Sequence, residues 1–101
     1  MKIRLSDNHV RVRLDRSDEQ AIKSDGFVSC TLRISPRKEF SVTLSAGDEE
    51  PDTPSLTFRD TAMELVVSRK EIEALFDGNT TSIFRDASSE RCGIVVEIDI
   101  Q

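Results

Sequence analysis

The sequence predicts an α+β domain made of two ββαββ units, with mostly antiparallel strands packed as a sandwich or partly closed barrel, two short helices and a pseudo-twofold axis. Three observations lead there. Apolar and polar residues alternate in short runs along most of the chain. Two helix-start signals, Asp15 with Asp18 and Ser68 with Glu71, each follow a pair of such runs. The apolar register of the first half also recurs at an offset of 53 residues.

The first unit spans about residues 2–45. Ile3 and Leu5 alternate with polar neighbours, and so do Val10, Val12 and Leu14. A period of two puts one face of a strand in a core. Asp7-Asn8 supplies the turn between the two strands. Asp15 then serves as an N-cap with Asp18 three residues on, Ala21 and Ile22 form a short apolar helix face, and Gly26 lies near the end. Val28, Cys30, Leu32 and Ile34 alternate next, Ser35-Pro36-Arg37-Lys38 turns the chain, and Phe40, Val42 and Leu44 return.

An acidic stretch, 46–54, carries Gly47, Pro51 and Pro54 and shows no periodicity, which predicts an exposed linker. The second unit, about 55–101, repeats the order. Leu56 and Phe58 precede Met63, Leu65 and Val67, with Asp60-Thr61 between them. Ser68 and Glu71 spell a capping box. Ile72, Leu75 and Phe76 give a helical face, and Gly78 suits its end. A strand around Ile83 and a final one through Ile94, Val96, Ile98 and Ile100 complete the unit, joined by 87–93. Ile3 aligns with Leu56, Leu5 with Phe58, Val10 with Met63, Val12 with Leu65 and Leu14 with Val67. One-residue shifts bring Gly26 onto Gly78 and Val42 onto Val96. Residues 1–101 thus form a single domain. Each unit is expected to be antiparallel with one apolar sheet face, the two faces pressed together and the helices capping the ends.

The 101 residues include 19 acidic and 14 basic side chains, a formal net charge of −5. That balance argues against nonspecific nucleic-acid binding, which needs Lys and Arg against phosphate, and against an anionic membrane. The basic residues gather between Lys2 and Arg16. Met1-Lys2-Ile3-Arg4 lacks the unbroken apolar run of a signal peptide, and no segment approaches transmembrane length. Two cysteines make no disulfide framework. A cytoplasmic, reduced protein is expected, without cofactor or metal.

No catalytic constellation stands out, and the chain is expected not to be an enzyme. His9, the one histidine, reads as an exposed turn residue. One His and two distant Cys are not a zinc cluster. Cys30 is in phase with the core, and Cys92 follows Arg91 but has no visible base. Scattered glycines form no phosphate loop. Arg4, Arg11 and Arg13 stand on the polar faces of the first two strands, a row able to bind phosphate or carboxylate bidentately. The equivalent positions Thr57, Glu64 and Val66 do not repeat it, and pairing with Glu97 and Asp99 competes with ligand binding. Val66 and Val95 are outward, so together they would mark an apolar interaction patch.

The opening Met1-Lys2-Ile3-Arg4-Leu5, then Val10-Arg11-Val12-Arg13-Leu14 and a capped helix, resembles a family of small uncharacterised bacterial proteins, a domain of unknown function with MKIRI-like and IRxRL-like strands. The resemblance covers about the first thirty residues closely and implies a bacterial, cytoplasmic protein; it carries over no activity or site residue. Two functions remain in view. The first is a non-enzymatic protein-interaction module, an accessory or inhibitory subunit or a homodimer joined at a strand edge. The second is a binder of a small anionic ligand through Arg4, Arg11 and Arg13.

Overall fold

The protein, seen here as a computed structural model, is described for residues 1–48 and 53–99. β1 (Lys2–Ser6) and β2 (His9–Leu14) form a hairpin, α1 (Arg16–Asp25) follows, and β3 (Phe27–Ser35) and β4 (Lys38–Gly47) form the next hairpin. The second half repeats this order as β5 (Ser55–Arg59), β6 (Ala62–Ser68), α2 (Arg69–Phe76), β7 (Ser82–Arg85) and β8 (Gly93–Ile98). Among the described residues the strands make two four-stranded sheets and no closed barrel. Sheet A has the order β1-β2-β8-β7 and sheet B the order β3-β4-β6-β5.

Neither half keeps its own sheet. Each sheet takes one hairpin from each half, and the two meet along a central parallel seam, β2 with β8 and β4 with β6. The expectation of two self-contained antiparallel units is corrected here. The physical reason is the helix between the second and third strands of each half, which carries the chain across to the opposite sheet. Alternation names the buried face of a hairpin but not its neighbour. The hairpins themselves are antiparallel.

The seams also correct the internal alignment. Val10 faces Ile94 across one seam, and its equivalent Met63 faces Val42 across the other. Val42 therefore corresponds to Ile94, not Val96. A slip of two keeps every side chain on its face, so the apolar pattern cannot detect it. Gly26 and Gly78 do match: each follows its helix with a left-handed backbone, at φ 86° and φ 79°, as expected of a helix end.

The inward residues of both sheets form one core. Val12 and Leu14 of β2, Ile94 and Val96 of β8, Leu44 of β4, and Leu65 and Val67 of β6 are fully buried in it. Ile22 of α1 and Ile72 and Leu75 of α2 join the same cluster. Burying a side chain of this kind stabilises by about 2 kcal/mol, which holds helices too short to persist alone.

The helix starts are built alike. Asp15 accepts from the Asp18 backbone N–H at 2.9 Å, and Asp18 accepts from the Asp15 N–H at 2.8 Å, a complete capping box. Asp18 is buried and also receives the α-amino group of Met1 at 2.9 Å. In the second half Ser68 Oγ accepts from Glu71 N–H at 3.0 Å. Glu71 accepts from the hydroxyls of Thr53 and Ser68, so the expected reciprocal bond to the Ser68 backbone is replaced. A donor from just before each leading strand thus reaches the third residue of each helix.

The expected linker is shorter than its composition implies. β4 runs on to Gly47, paired with Ser68 of β6, and Pro54 is buried. Asp48 pairs with Arg69. Residues 49–52, and Ile100 of the expected last strand, lie outside the described residues.

Candidate functional site

Strand pairing lays out the outer face of sheet A. Arg4 of β1 lies opposite Arg11 of β2, which lies opposite Val95 of β8, which lies opposite Phe84 of β7. The next row runs Lys2, Arg13, Glu97, Ser82. The three expected arginines therefore share one exposed face. Two adjoining hollows of about 300 and 190 Å³ open there, and Arg4 and Arg11 line both. Arg13 donates to Glu97 at 2.9 Å, while Arg11 Nε stands 3.7 Å from the same carboxylate. Lys2 pairs with Asp99 at 2.9 Å. Of the competing expectations, Arg13 and, at longer range, Arg11 follow the ion-pair one, while Arg4 and Arg11 also line a concave surface.

His9 sits at the rim of the larger hollow. It is exposed, as expected of a turn neighbour, but its ring is held. Nδ1 is 2.8 Å from the Asp7 carbonyl. A carbonyl only accepts, so Nδ1 carries the proton. The ring lies against Gly93, where an added Cβ would stand 2.7 Å from His9 Cδ2. Glycine at the start of β8 leaves room for the ring, a relation invisible without the β2–β8 register.

Val66 and Val95 are half-buried and do not share a patch. Val95 is on the outer face of sheet A; Val66 pairs with Ser45 and Ser55 in sheet B. The exchange of hairpins places β6 and β8 in different sheets, so the two valines face opposite ways.

The apolar surface lies elsewhere. Leu32 and Ile34 of β3 are 63% and 60% exposed, and Leu5 of β1 is 60% exposed. All three were expected to be buried from their phase. β1 and β3 are edge strands on the same side of the sandwich. Between them runs a cleft of about 330 Å³ whose lining includes Ile3, Leu5, Cys30, Leu32 and Phe40. Phe40 stacks on Phe58 at a ring separation of 5.9 Å.

The equivalent side of the second half holds an arginine. Cys30 pairs with Val42, and Arg85 pairs with Ile94, so Arg85 stands where the first half has Cys30. Arg85 donates to the Cys92 carbonyl from Nη2 at 2.9 Å and to the Pro54 carbonyl from Nη1 at 3.3 Å. It ties the start of β5 to the start of β8 across the gap. A charged residue in phase with Ile83 was the signal available in the sequence for this plug. Cys30 and Cys92 are both free thiols; Cys92 Sγ is 3.8 Å from Arg85 Nη2.

Among the described residues, no group of three or more histidine, cysteine or acidic side chains is placed to hold a metal ion. No described helix is long and apolar enough to cross a membrane. None of the curated proteins and none of the solved structures compared with the chain matches it. A family model does match, over residues 1–101, and it describes a family of unknown function, DUF7009. The chain belongs to that family.

Proposed function

We propose that the chain is a small non-enzymatic protein-interaction module whose partner is a second copy of itself, joined along β3. The observation that carries this is the contrast between the two sides of the sandwich. β3 is a nine-residue edge beside an open apolar cleft, while its counterpart β7 has four residues and an arginine plug. Long apolar edges invite strand pairing, and proteins usually blunt them with charge, brevity or a cover.

Antiparallel pairing of two β3 strands about Leu32 is self-complementary, as a twofold interface requires. Leu32 then meets Leu32 of the second copy and Thr31 meets Arg33, within the regular part of β3 that precedes its register shift between Arg33 and Ser35. Inward apolar groups meet apolar groups, and no like charges oppose each other. The sheet becomes continuous through both copies, and the exposed Leu5 and Leu32 are covered. Each such side chain contributes up to about 2 kcal/mol on burial.

Light scattering on the full chain tests this. The wild type is expected to be a dimer in the micromolar range and Leu32→Lys a folded monomer. Because Leu32 is exposed, its replacement leaves the core intact. A wild type still monomeric at about 1 mM, where even 4 kcal/mol of association would register, overturns the reading.

A further inference from the structure

We infer that the outer face of β1 and β2 is an oxyanion site, with Arg4 and Arg11 as its clamp and an apolar rest for the body of the ligand along Val95 and Phe84. This is independent of the pairing proposed for β3, which lies in the other sheet.

The first ground is unbalanced charge. Arg4 and Arg11 are direct cross-strand partners. Like charges placed opposite each other destabilise a hairpin. Nearby acids relieve them only in part. Arg11 shares Glu97 with Arg13, as the longer ion pair at 3.7 Å against 2.9 Å, and Lys2 holds Asp99. Arg4 has no hydrogen bond or ion pair among the described residues. A bound phosphate or carboxylate would accept parallel N–H bonds from both guanidinium groups, the geometry arginine suits best.

The second ground is that the fold does not need these residues. In sheet B the row equivalent to Arg4, Arg11, Val95 and Phe84 reads Thr57, Glu64, Thr43 and Ser29. Two of its hydroxyls, those of Ser29 and Thr43, satisfy each other at 2.8 Å. The same backbone thus carries a quiet polar row on one side and a cationic-to-apolar row on the other. In a chain of net charge −5, this concentration of cations runs against the overall field and focuses anions locally.

The third ground is shape. Arg4 and Arg11 line both hollows, and the larger one also includes His9 and Val95. His9 keeps Nδ1 on the Asp7 carbonyl, leaving Nε2 without a partner among the described residues. Beyond Val95 the row ends at Phe84, which is 63% exposed. Neighbouring strands are about 4.8 Å apart, so a ligand with its charge at Arg11 and a single ring attached reaches Val95 and the near side of Phe84. The ligand class is a small phosphate or carboxylate on an apolar or aromatic body.

Phenyl phosphate, benzoate and inorganic phosphate serve as probes, followed by backbone amide shifts in NMR titrations of the full chain. Saturable shifts at Arg4, Arg11 and Val95 are expected with phenyl phosphate or benzoate, and the tighter of the two identifies the anion. Arg4→Gln and Arg11→Gln should each weaken binding about tenfold, equivalent to about 1.4 kcal/mol. Phe84→Ser, which installs the sheet B residue, should weaken phenyl phosphate and leave inorganic phosphate unchanged. Glu97→Gln should tighten binding by freeing Arg11. Arg33→Gln, a change on sheet B, should alter nothing. No saturable shift below about 50 mM, a threshold weaker than 2 kcal/mol, overturns the site. Equal affinity in the Arg4→Gln and Arg11→Gln proteins does so as well.

Discussion

Cys30 and Arg85 occupy equivalent positions on edge strands related by the pseudo-twofold, and they treat the space between the sheets in opposite ways. Cys30 leaves its side open, lined by Ile3, Leu5, Leu32 and Phe40. Arg85 puts a guanidinium group on its side and donates to two backbone carbonyls, those of Pro54 and Cys92. The outer faces diverge in the same manner, arginine and valine on sheet A against threonine and serine on sheet B. The core seams of the two sheets remain alike while these positions differ. Packing dictates the shared residues; the differing ones are free to serve recognition.

The comparison can be broken most forcefully at the helix starts. Asp18 is buried against the Met1 amino group, whereas Glu71 receives two hydroxyls. Asp18→Ala should cost about 3 kcal/mol, because it strands a buried cation. Glu71→Ala should cost about 1 kcal/mol, the loss of neutral donors to a carboxylate. Chemical denaturation of the two variants measures the gap; equal losses would mean that the two starts are energetically interchangeable.

Opening the second cleft is the next test. Arg85→Ala leaves the Pro54 and Cys92 carbonyls without their donor and should cost about 2 kcal/mol. It should also create a second apolar cleft. An increase in binding of a hydrophobic fluorescent dye, abolished neither by Leu32→Lys nor by dilution, is the expected result. Unchanged dye binding would show that Arg85 is not the plug.

The smallest effect is in pH. The Asp15 carboxylate is held down from 3.8 to about 2 by the Asp18 backbone N–H, with the Ser17 hydroxyl adding to it. A lowered carboxylate pKa contributes stability that is present above the unfolded value and lost as pH falls toward the folded one. The second half has an uncharged cap at this place, Ser68. Asp15→Ser should therefore flatten the fall in melting temperature between pH 3.8 and pH 2. The exposed position of Asp15 keeps the difference modest. Parallel curves for the two proteins would remove Asp15 from the account.

Much of the fold could be read in the residues because alternation and capping are local. The ten elements, the turns, Val12 and Leu65 in the core and the paired glycines all follow from short-range chemistry. Hairpin exchange does not, since one buried face is compatible with any neighbour that also has one. The same blindness joined Val66 to Val95 and placed Val42 on Val96. Leu5, Leu32 and Ile34 have the phase of core residues, yet an edge strand that overhangs its partner sheet leaves such residues wet. Part of the arginine site was legible from spacing on the first two strands. Val95, Phe84 and His9 entered it only through the β2–β8 register, which joins residues from opposite ends of the sequence.

That register also governs how the molecule comes into being. Val12 lies opposite Val96, so the hairpin of β1 and β2 must wait until β8 has been made before its seam can close. Long-separated pairings of this kind fold slowly, and in the interval Val10, Val12 and Leu14 stay wet on an unclaimed strand. Neither half, produced as a fragment, could finish a sheet unless a second fragment supplied the missing hairpin. Two such pieces meeting in solution would rebuild both seams, and a tandem chain accomplishes the same encounter without depending on concentration.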